Sequence, residues 1–151
     1  MDTITLTIDG REVKVARGRT VLEAAKDAGI YIPTLCYHHS LTPFGGCRLC
    51  IVEIEKMRGF PTSCTTPAAE GMVVKTKSPQ LQELRRNIVE LVLTEHPHAC
   101  LICDRKERCS PLDICLRNVE VTQRCVLCPK NGRCELQKVV DYLGIKEITL
   151  P

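Results

Sequence analysis

The chemistry of this chain of 151 residues is concentrated in its 11 cysteines. They stand at the following positions: Cys36, Cys47, Cys50, Cys64, Cys100, Cys103, Cys109, Cys115, Cys125, Cys128 and Cys134. Met1 to Gly10 contain no basic segment followed by a long apolar run, so no secretory signal is predicted. No apolar stretch approaches the roughly 18 residues of a membrane-spanning helix. We therefore expect a cytoplasmic protein whose clustered cysteines bind metal rather than form disulfides.

The first group of cysteines has 10, 2 and 13 residues between successive members: Cys36, Cys47, Cys50 and Cys64. Four thiolates are the ligand set of a 2Fe-2S cluster. Gly45 and Gly46 directly precede Cys47, and glycine lets a backbone approach the cluster sulfurs closely. The alternative is a structural zinc site, because four cysteines also satisfy tetrahedral zinc. The spacing alone leaves both metals open.

Regular patterns before this group predict a hairpin and a helix. Thr3 to Ile8 alternates with the period of a strand, Asp9-Gly10 is a turn signal, and Glu12 to Val15 supplies the returning strand. Thr20 and Glu23 then form a capping box at the start of a helix. The cysteine group follows in a loop rich in glycine and proline, which reads as an ordered loop around a ligand.

Further elements are predicted beyond the loop. Residues 51–54 and 72–77 read as short strands of the same sheet, and a second helix is predicted from Pro79 to about Glu95. Its expected buried stripe consists of Leu81, Leu84, Ile88, Leu91 and Val92. A final helix is predicted over residues 135–143.

The order of hairpin, helix, glycine-rich loop and late fourth cysteine resembles a β-grasp ferredoxin. Ten residues separate the first two cysteines, unlike the four of plant-type ferredoxins. This spacing is similar to the front of the large iron-sulfur subunit of respiratory complex I, iron-only hydrogenases and some NAD-linked formate dehydrogenases. The resemblance implies an α+β fold, with a β-grasp 2Fe-2S ferredoxin-like domain over residues 1–78. A linking helix and a small, loop-rich 4Fe-4S domain are expected over residues 79–151.

The same resemblance implies the ligands of the second region. In those subunits one histidine and three cysteines bind a 4Fe-4S cluster, and the matching set here is His96, Cys100, Cys103 and Cys109. A second 4Fe-4S cluster would take the remaining four cysteines, namely Cys115, Cys125, Cys128 and Cys134. In the alternative pairing, His96 binds together with Cys125, Cys128 and Cys134, and residues 100–115 hold an inserted four-cysteine site. A single zinc ion on the last four cysteines is also open.

The resemblance implies an electron-relay subunit that carries one 2Fe-2S and two 4Fe-4S clusters. Its implied partners are a flavin-containing, NADH-binding subunit and a hydrogenase, formate dehydrogenase or other reductase. We find no G-x-G-x-x-G, no P-loop and no nucleophile beside a positioned base, so no catalytic site of its own is expected. Because those subunits continue well beyond the length of this sequence, we expect a separate small subunit.

Net charge bears on the alternative functions. The formal charge of +3 counts every thiol as neutral, and adding the predicted clusters brings it to about −2. The basic composition is therefore poor support for nucleic-acid binding. The alternative from another class is a zinc-stabilised interaction or nucleic-acid-binding module, whose basic face would lie between Arg105 and Arg133. A free ferredoxin is a third hypothesis.

Overall fold

A mixed four-stranded sheet is the scaffold of the first part of the chain. The computed structural model describes residues 2–96, 99–102, 130 and 132–150. The strands are β1 (Thr3–Ile8), β2 (Arg11–Ala16), β3 (Glu53–Ile54) and β4 (Val73–Lys75). Their order across the sheet is β2-β1-β4-β3, with β1 and β4 parallel and the other pairs antiparallel. The two late strands are shorter than predicted, but both lie within the predicted ranges.

The first two strands form the predicted hairpin. Thr3 pairs with Ala16 and Ile8 with Arg11, so the register runs through the whole of both strands. The connecting turn is Asp9-Gly10, with φ of 50° and 79°. Positive φ at both central residues is the requirement of the type I′ turn, whose twist matches that of the flanking strands. The Asp9-Gly10 turn therefore determines the pairing register of β1 and β2.

Helix α1 (Val21–Asp27) begins at the predicted capping box. The Thr20 hydroxyl accepts a hydrogen bond from the Glu23 backbone N–H at 3.3 Å, and the Glu23 carboxylate accepts one from the Thr20 N–H at 2.8 Å. The buried residues of this helix are Val21, Leu22, Ala24 and Ala25. They pack with the inward-facing residues of β1 and β2 into one core, which also includes two of the cysteines, Cys50 and Cys64.

Helix α2 (Pro79–Glu95) begins where predicted, but its buried face differs from the predicted stripe. The Ser78 hydroxyl accepts a hydrogen bond from the Leu81 N–H and so caps the helix. The predicted burial of Leu91 and Val92 is wrong, because their exposed fractions are 61% and 38%. Leu81 is fully buried as predicted, and the other fully buried positions of α2 are Arg85, Val89, Glu90 and Leu93. The prediction fails at these positions because two charged residues, Arg85 and Glu90, lie on the buried face of α2. Both have polar partners inside the protein.

The contact pattern divides the chain into two units, residues 1–88 and 89–151, and the division falls inside α2. The domain boundary predicted at residue 78 stays a prediction. In the second unit, α3 (Ala99–Ile102) contacts α4 (Glu135–Leu143), which is the predicted final helix. Gly144, at φ 64°, ends α4.

The last described residues return to α2. The Glu90 carboxylate accepts hydrogen bonds from the Thr149 N–H and hydroxyl, both at 2.8 Å, and from the Leu150 N–H at 3.1 Å. Glu90 is fully buried, so these donors compensate the carboxylate where water does not reach it. They fix the chain after α4 against this helix.

Candidate metal centre

The fold places the first four cysteines on two segments that lie side by side. Cys36, Cys47 and Cys50 belong to the long loop between α1 and β3, and Cys64 follows the short bridge between Ile51 and Thr62. The Ser63 N–H donates to the Cys50 carbonyl at 2.9 Å, which fastens the two segments together beside the cysteines. Cys50 and Cys64 are each 1% exposed, whereas Cys36 and Cys47 are half-buried.

Two glycines let the loop take this path. Gly45 has φ 68°, and a Cβ added there would lie 3.1 Å from the Thr62 hydroxyl oxygen. A Cβ at Gly46 would lie 2.2 Å from the Phe44 ring, which covers that part of the backbone. A side chain at Gly45 would be strained by the positive φ and would press on Thr62, whereas one at Gly46 would require the exposed Phe44 ring to move. The requirement for glycine is therefore strongest at Gly45.

The four thiols form two pairs within one site. Cys36 and Cys47 form one pair, in which the Cys47 N–H donates to the Cys36 sulfur at 3.3 Å, and Cys50 and Cys64 form the other, in which the Cys50 thiol helps to raise the pKa of Cys64. Cys64 also interacts electrostatically with Cys36 and Cys47, so the two pairs are neighbours. All four are free thiols. The structure thus places the four cysteines of the first predicted group in one region of the fold, and their role as cluster ligands stays a prediction.

The pKa shifts of the thiols differ in direction across the site. Burial raises the pKa of the Cys64 thiol to about 12, with the neighbouring thiols adding to the effect. Burial also raises the pKa of Cys36, although backbone N–H groups of Cys47 and Gly46 oppose it. At Cys47 burial acts in the same direction, but hydrogen bonds from the backbone of Leu49, Leu35 and Cys36 outweigh it, so the pKa is lowered. Backbone donors therefore converge on the half-buried pair.

These features fit a binuclear iron-sulfur cluster. Each iron of a 2Fe-2S cluster takes two protein ligands, and the thiols here are arranged two and two. The Cys47 N–H lies 3.3 Å from the Cys36 sulfur, and such backbone donors stabilise negatively charged sulfur. Among the described residues, no group of three or more His, Cys, Asp and Glu side chains is placed to hold a metal ion.

One hydroxyl beside the site has no protein partner within the described residues. The Ser63 Oγ atom is buried and makes no hydrogen bond there. The neighbouring threonines satisfy one another, because the hydroxyls of Thr62 and Thr65 are bonded together and the Thr66 hydroxyl donates to the Thr62 carbonyl. Ser63 thus retains a free donor directly before Cys64.

The structure describes only part of the second predicted ligand group. His96 is exposed just after α2, Cys100 belongs to α3, and Cys134 is the residue before α4. Five further predicted ligands lie outside the described residues: Cys103, Cys109, Cys115, Cys125 and Cys128. Helix α3, which contains Cys100, contacts α4, which begins directly after Cys134. In the part of the chain that the structure describes, no helix is long and apolar enough to cross a membrane.

Two protein families match the chain. Residues 1–79 match the 2Fe-2S iron-sulfur cluster binding domain. Residues 85–117 and 122–149 match the NADH-ubiquinone oxidoreductase-G iron-sulfur binding region. The second match includes His96 and all seven of the later cysteines. Both matches favour iron-sulfur clusters over the zinc alternative.

Individual proteins give the same result. The chain is 38% identical over 97% of its length to the NADP-reducing hydrogenase subunit HndD of Solidesulfovibrio fructosivorans, of which it covers 22%. It is 41% identical over 76% of its length to the mitochondrial NADH-ubiquinone oxidoreductase 78 kDa subunit of Neurospora crassa, of which it covers 15%. Among solved structures, a chain of an NAD+-reducing NiFe-hydrogenase in the H2-reduced state matches with a TM-score of 0.72 and 32% identity. That match covers 97% of this chain and 51% of the other.

The predicted resemblance and fold class are confirmed by these comparisons. The chain spans about a fifth or less of the length of the curated relatives named above. Its matched part carries both iron-sulfur regions in the predicted order. The chain belongs to the 2Fe-2S iron-sulfur cluster binding domain family, followed by the NADH-ubiquinone oxidoreductase-G iron-sulfur binding region, and its cofactors are 2Fe-2S and 4Fe-4S clusters.

Proposed function

We propose that this chain relays single electrons within a multisubunit, NADH- or NADPH-linked oxidoreductase. The observation that carries the proposal is the joint presence of a paired four-thiol site and a 4Fe-4S region in one short chain. Two kinds of iron-sulfur cluster carried by one chain suit the transfer of single electrons from one centre to the next.

The proposed ligands of the 2Fe-2S cluster are the two thiol pairs, Cys36 with Cys47 and Cys50 with Cys64. When bound, the cluster supplies one-electron redox chemistry. The protein's own contribution is to bury Cys50 and Cys64 and to direct backbone N–H groups at Cys36 and Cys47. The half-buried pair marks the edge of the site at which another redox centre can come closest.

For the second region we keep the contiguous assignment as the proposal. One 4Fe-4S cluster takes His96, Cys100, Cys103 and Cys109, and another takes Cys115, Cys125, Cys128 and Cys134. A neutral imidazole in place of a thiolate removes one negative charge, which raises the reduction potential, as the histidines do in Rieske centres. The first of these clusters would then be the better electron acceptor.

The proposed partners follow from the relatives, which are named as subunits of NAD(P)H-linked enzymes. We propose a flavin-containing, NADH-binding subunit on one side and a hydrogenase, dehydrogenase or other reductase on the other. Neither partner is a nucleic acid, and the proposed compartment is the cytoplasm. Catalysis at both ends belongs to the partners, which makes this chain the connection between them.

The test is electron entry from the nucleotide in the native complex. We would capture the tagged chain anaerobically, add NADH or NADPH, and record low-temperature EPR spectra. We expect cluster signals to appear in the wild type and the 2Fe-2S signal to be lost in Cys47→Ser. Ser40→Ala is the matched control, because Ser40 is exposed in the same loop, and it should behave as the wild type. Clusters that dithionite reduces but neither nucleotide reduces in the captured complex would contradict the relay.

A further inference from the structure

Arg85, in the second turn of α2, is a fully buried cation close to the proposed 2Fe-2S site. Its exposed fraction is 0%, and it is among the largest buried side chains of the described residues. A guanidinium keeps its proton under all ordinary conditions, so burial leaves a full positive charge inside the protein. Burying a charge is costly unless polar groups surround it. The contacts of Arg85 therefore indicate what the charge is used for.

Those contacts converge on the backbone around Cys50. Nε donates to the Leu49 carbonyl at 3.1 Å, and Nη2 donates to the Ile51 carbonyl at 2.6 Å. Nη1 donates to the Thr76 carbonyl at 2.9 Å, just after β4. Hydrogen bonds from a charged donor are about twice as strong as neutral ones. One side chain thus fixes the residues on both sides of Cys50 and ties them to the sheet.

The same connection reaches the second cysteine of this pair. The Cys50 carbonyl accepts from the Ser63 N–H at 2.9 Å, and Ser63 directly precedes Cys64. Through these backbone hydrogen bonds, Arg85 helps to hold both buried cysteines, Cys50 and Cys64, in place. Helix α1 adds a second support, because the Leu22 N–H donates to the Ser63 carbonyl at 3.0 Å.

We propose that Arg85 is a positioning residue for the 2Fe-2S centre and that its charge raises the reduction potential of that centre. The inference rests on the proposed ligand set of Cys36, Cys47, Cys50 and Cys64. A 2Fe-2S cluster on four thiolates is anionic and gains a further negative charge on reduction. A buried cation bonded to the residues on both sides of one ligand favours the reduced state, because water screens it little at that depth.

The test is the midpoint potential of the 2Fe-2S centre, measured by EPR-monitored redox titration of the full chain with clusters assembled. Arg85→Met removes both the charge and the hydrogen bonds. We expect reduction to become at least tenfold less favourable, which is a shift of about 59 mV to lower potential for one electron. Arg85→Lys keeps a charge but not the planar fork, so its potential should lie between those of Arg85→Met and the wild type. Arg86→Met is the matched control, because Arg86 is the partly exposed neighbour, and it should titrate as the wild type.

A purely structural role predicts a different result. It would lower stability and cluster occupancy but leave the potential of the assembled centres unchanged. An Arg85→Met protein with a normal potential and normal g values therefore overturns the proposal. If that variant assembles no cluster, Arg85→Gln decides, because it also removes the charge, and a wild-type potential there overturns the proposal too. A wild-type protein that assembles no 2Fe-2S centre would instead contradict the proposed ligand set.

Discussion

In the protein without its clusters, we predict that Cys64 reacts with iodoacetamide much more slowly than Cys47. The reactive species is the thiolate. The pKa of Cys64 is raised to about 12, whereas that of Cys47 is lowered from 9.0. At pH 8 about one Cys64 in 10,000 is ionised, against about one in ten for a thiol of pKa 9. The thiolate populations thus differ by at least about 1,000-fold.

The expected difference in rate is smaller. A thiolate of higher pKa is intrinsically more nucleophilic, and this offsets nearly half of the difference on a logarithmic scale. About 30- to 50-fold remains at pH 8. Burial slows the alkylation of Cys64 further, because Cys64 is 1% exposed whereas Cys47 is half-buried. From pH 8 to 9 the Cys64 rate should rise about tenfold, since its thiolate population is still far from saturation.

The assay is timed alkylation of the apo protein, followed by quenching and peptide mass spectrometry. Digestion after lysine and arginine separates Cys64 from Cys47, because Arg48 lies between them. The control is the same reaction in guanidinium chloride, where both thiols should react at similar rates. Equal rates for Cys64 and Cys47 in the native apo protein would refute the account of this site.

Three further predictions concern stability. Thr20→Ala removes the N-cap of α1 and should cost about 1 kcal/mol in urea denaturation. Asp9→Ala deprives the buried Thr76 N–H and hydroxyl of their acceptor, and a loss of about 1–3 kcal/mol is expected. Glu12→Ala, an exposed control on β2, should change stability little, and losses of the same size there would contradict both predictions. The apo protein should lose stability as the pH rises from about 9 towards 12, because Cys64 ionises at lower pH in the unfolded chain than in the native one. A flat stability profile over that range would contradict the raised pKa.

Features that depend on local sequence were predictable. The Asp9-Gly10 turn and the Thr20 cap each act over a few residues, so their signals could be read directly from the sequence. The first four cysteines were also predicted as a set, because their number and the adjacent glycines carry the signal. Their arrangement in two pairs required the fold.

Features that depend on distant partners were not predictable. Arg85 lies on the buried face of α2 because it bonds to carbonyl groups as much as 36 residues away, and its neighbour Arg86 looks the same in the sequence. The pattern of apolar residues predicts that both arginines lie at the surface. The predicted buried stripe of α2 therefore includes Leu91, which is exposed in the structure. The parallel pairing of β1 with β4 has the same origin, because no turn signal links two strands that are so far apart in the chain.

The most direct test of the account is the content of iron, zinc and acid-labile sulfide per chain in anaerobically purified protein, together with EPR spectra of the reduced sample. We predict about ten iron atoms with matching sulfide, and overlapping 2Fe-2S and 4Fe-4S signals. About six iron atoms would remove the second 4Fe-4S cluster from the account. Zinc without sulfide would contradict electron transfer by this chain.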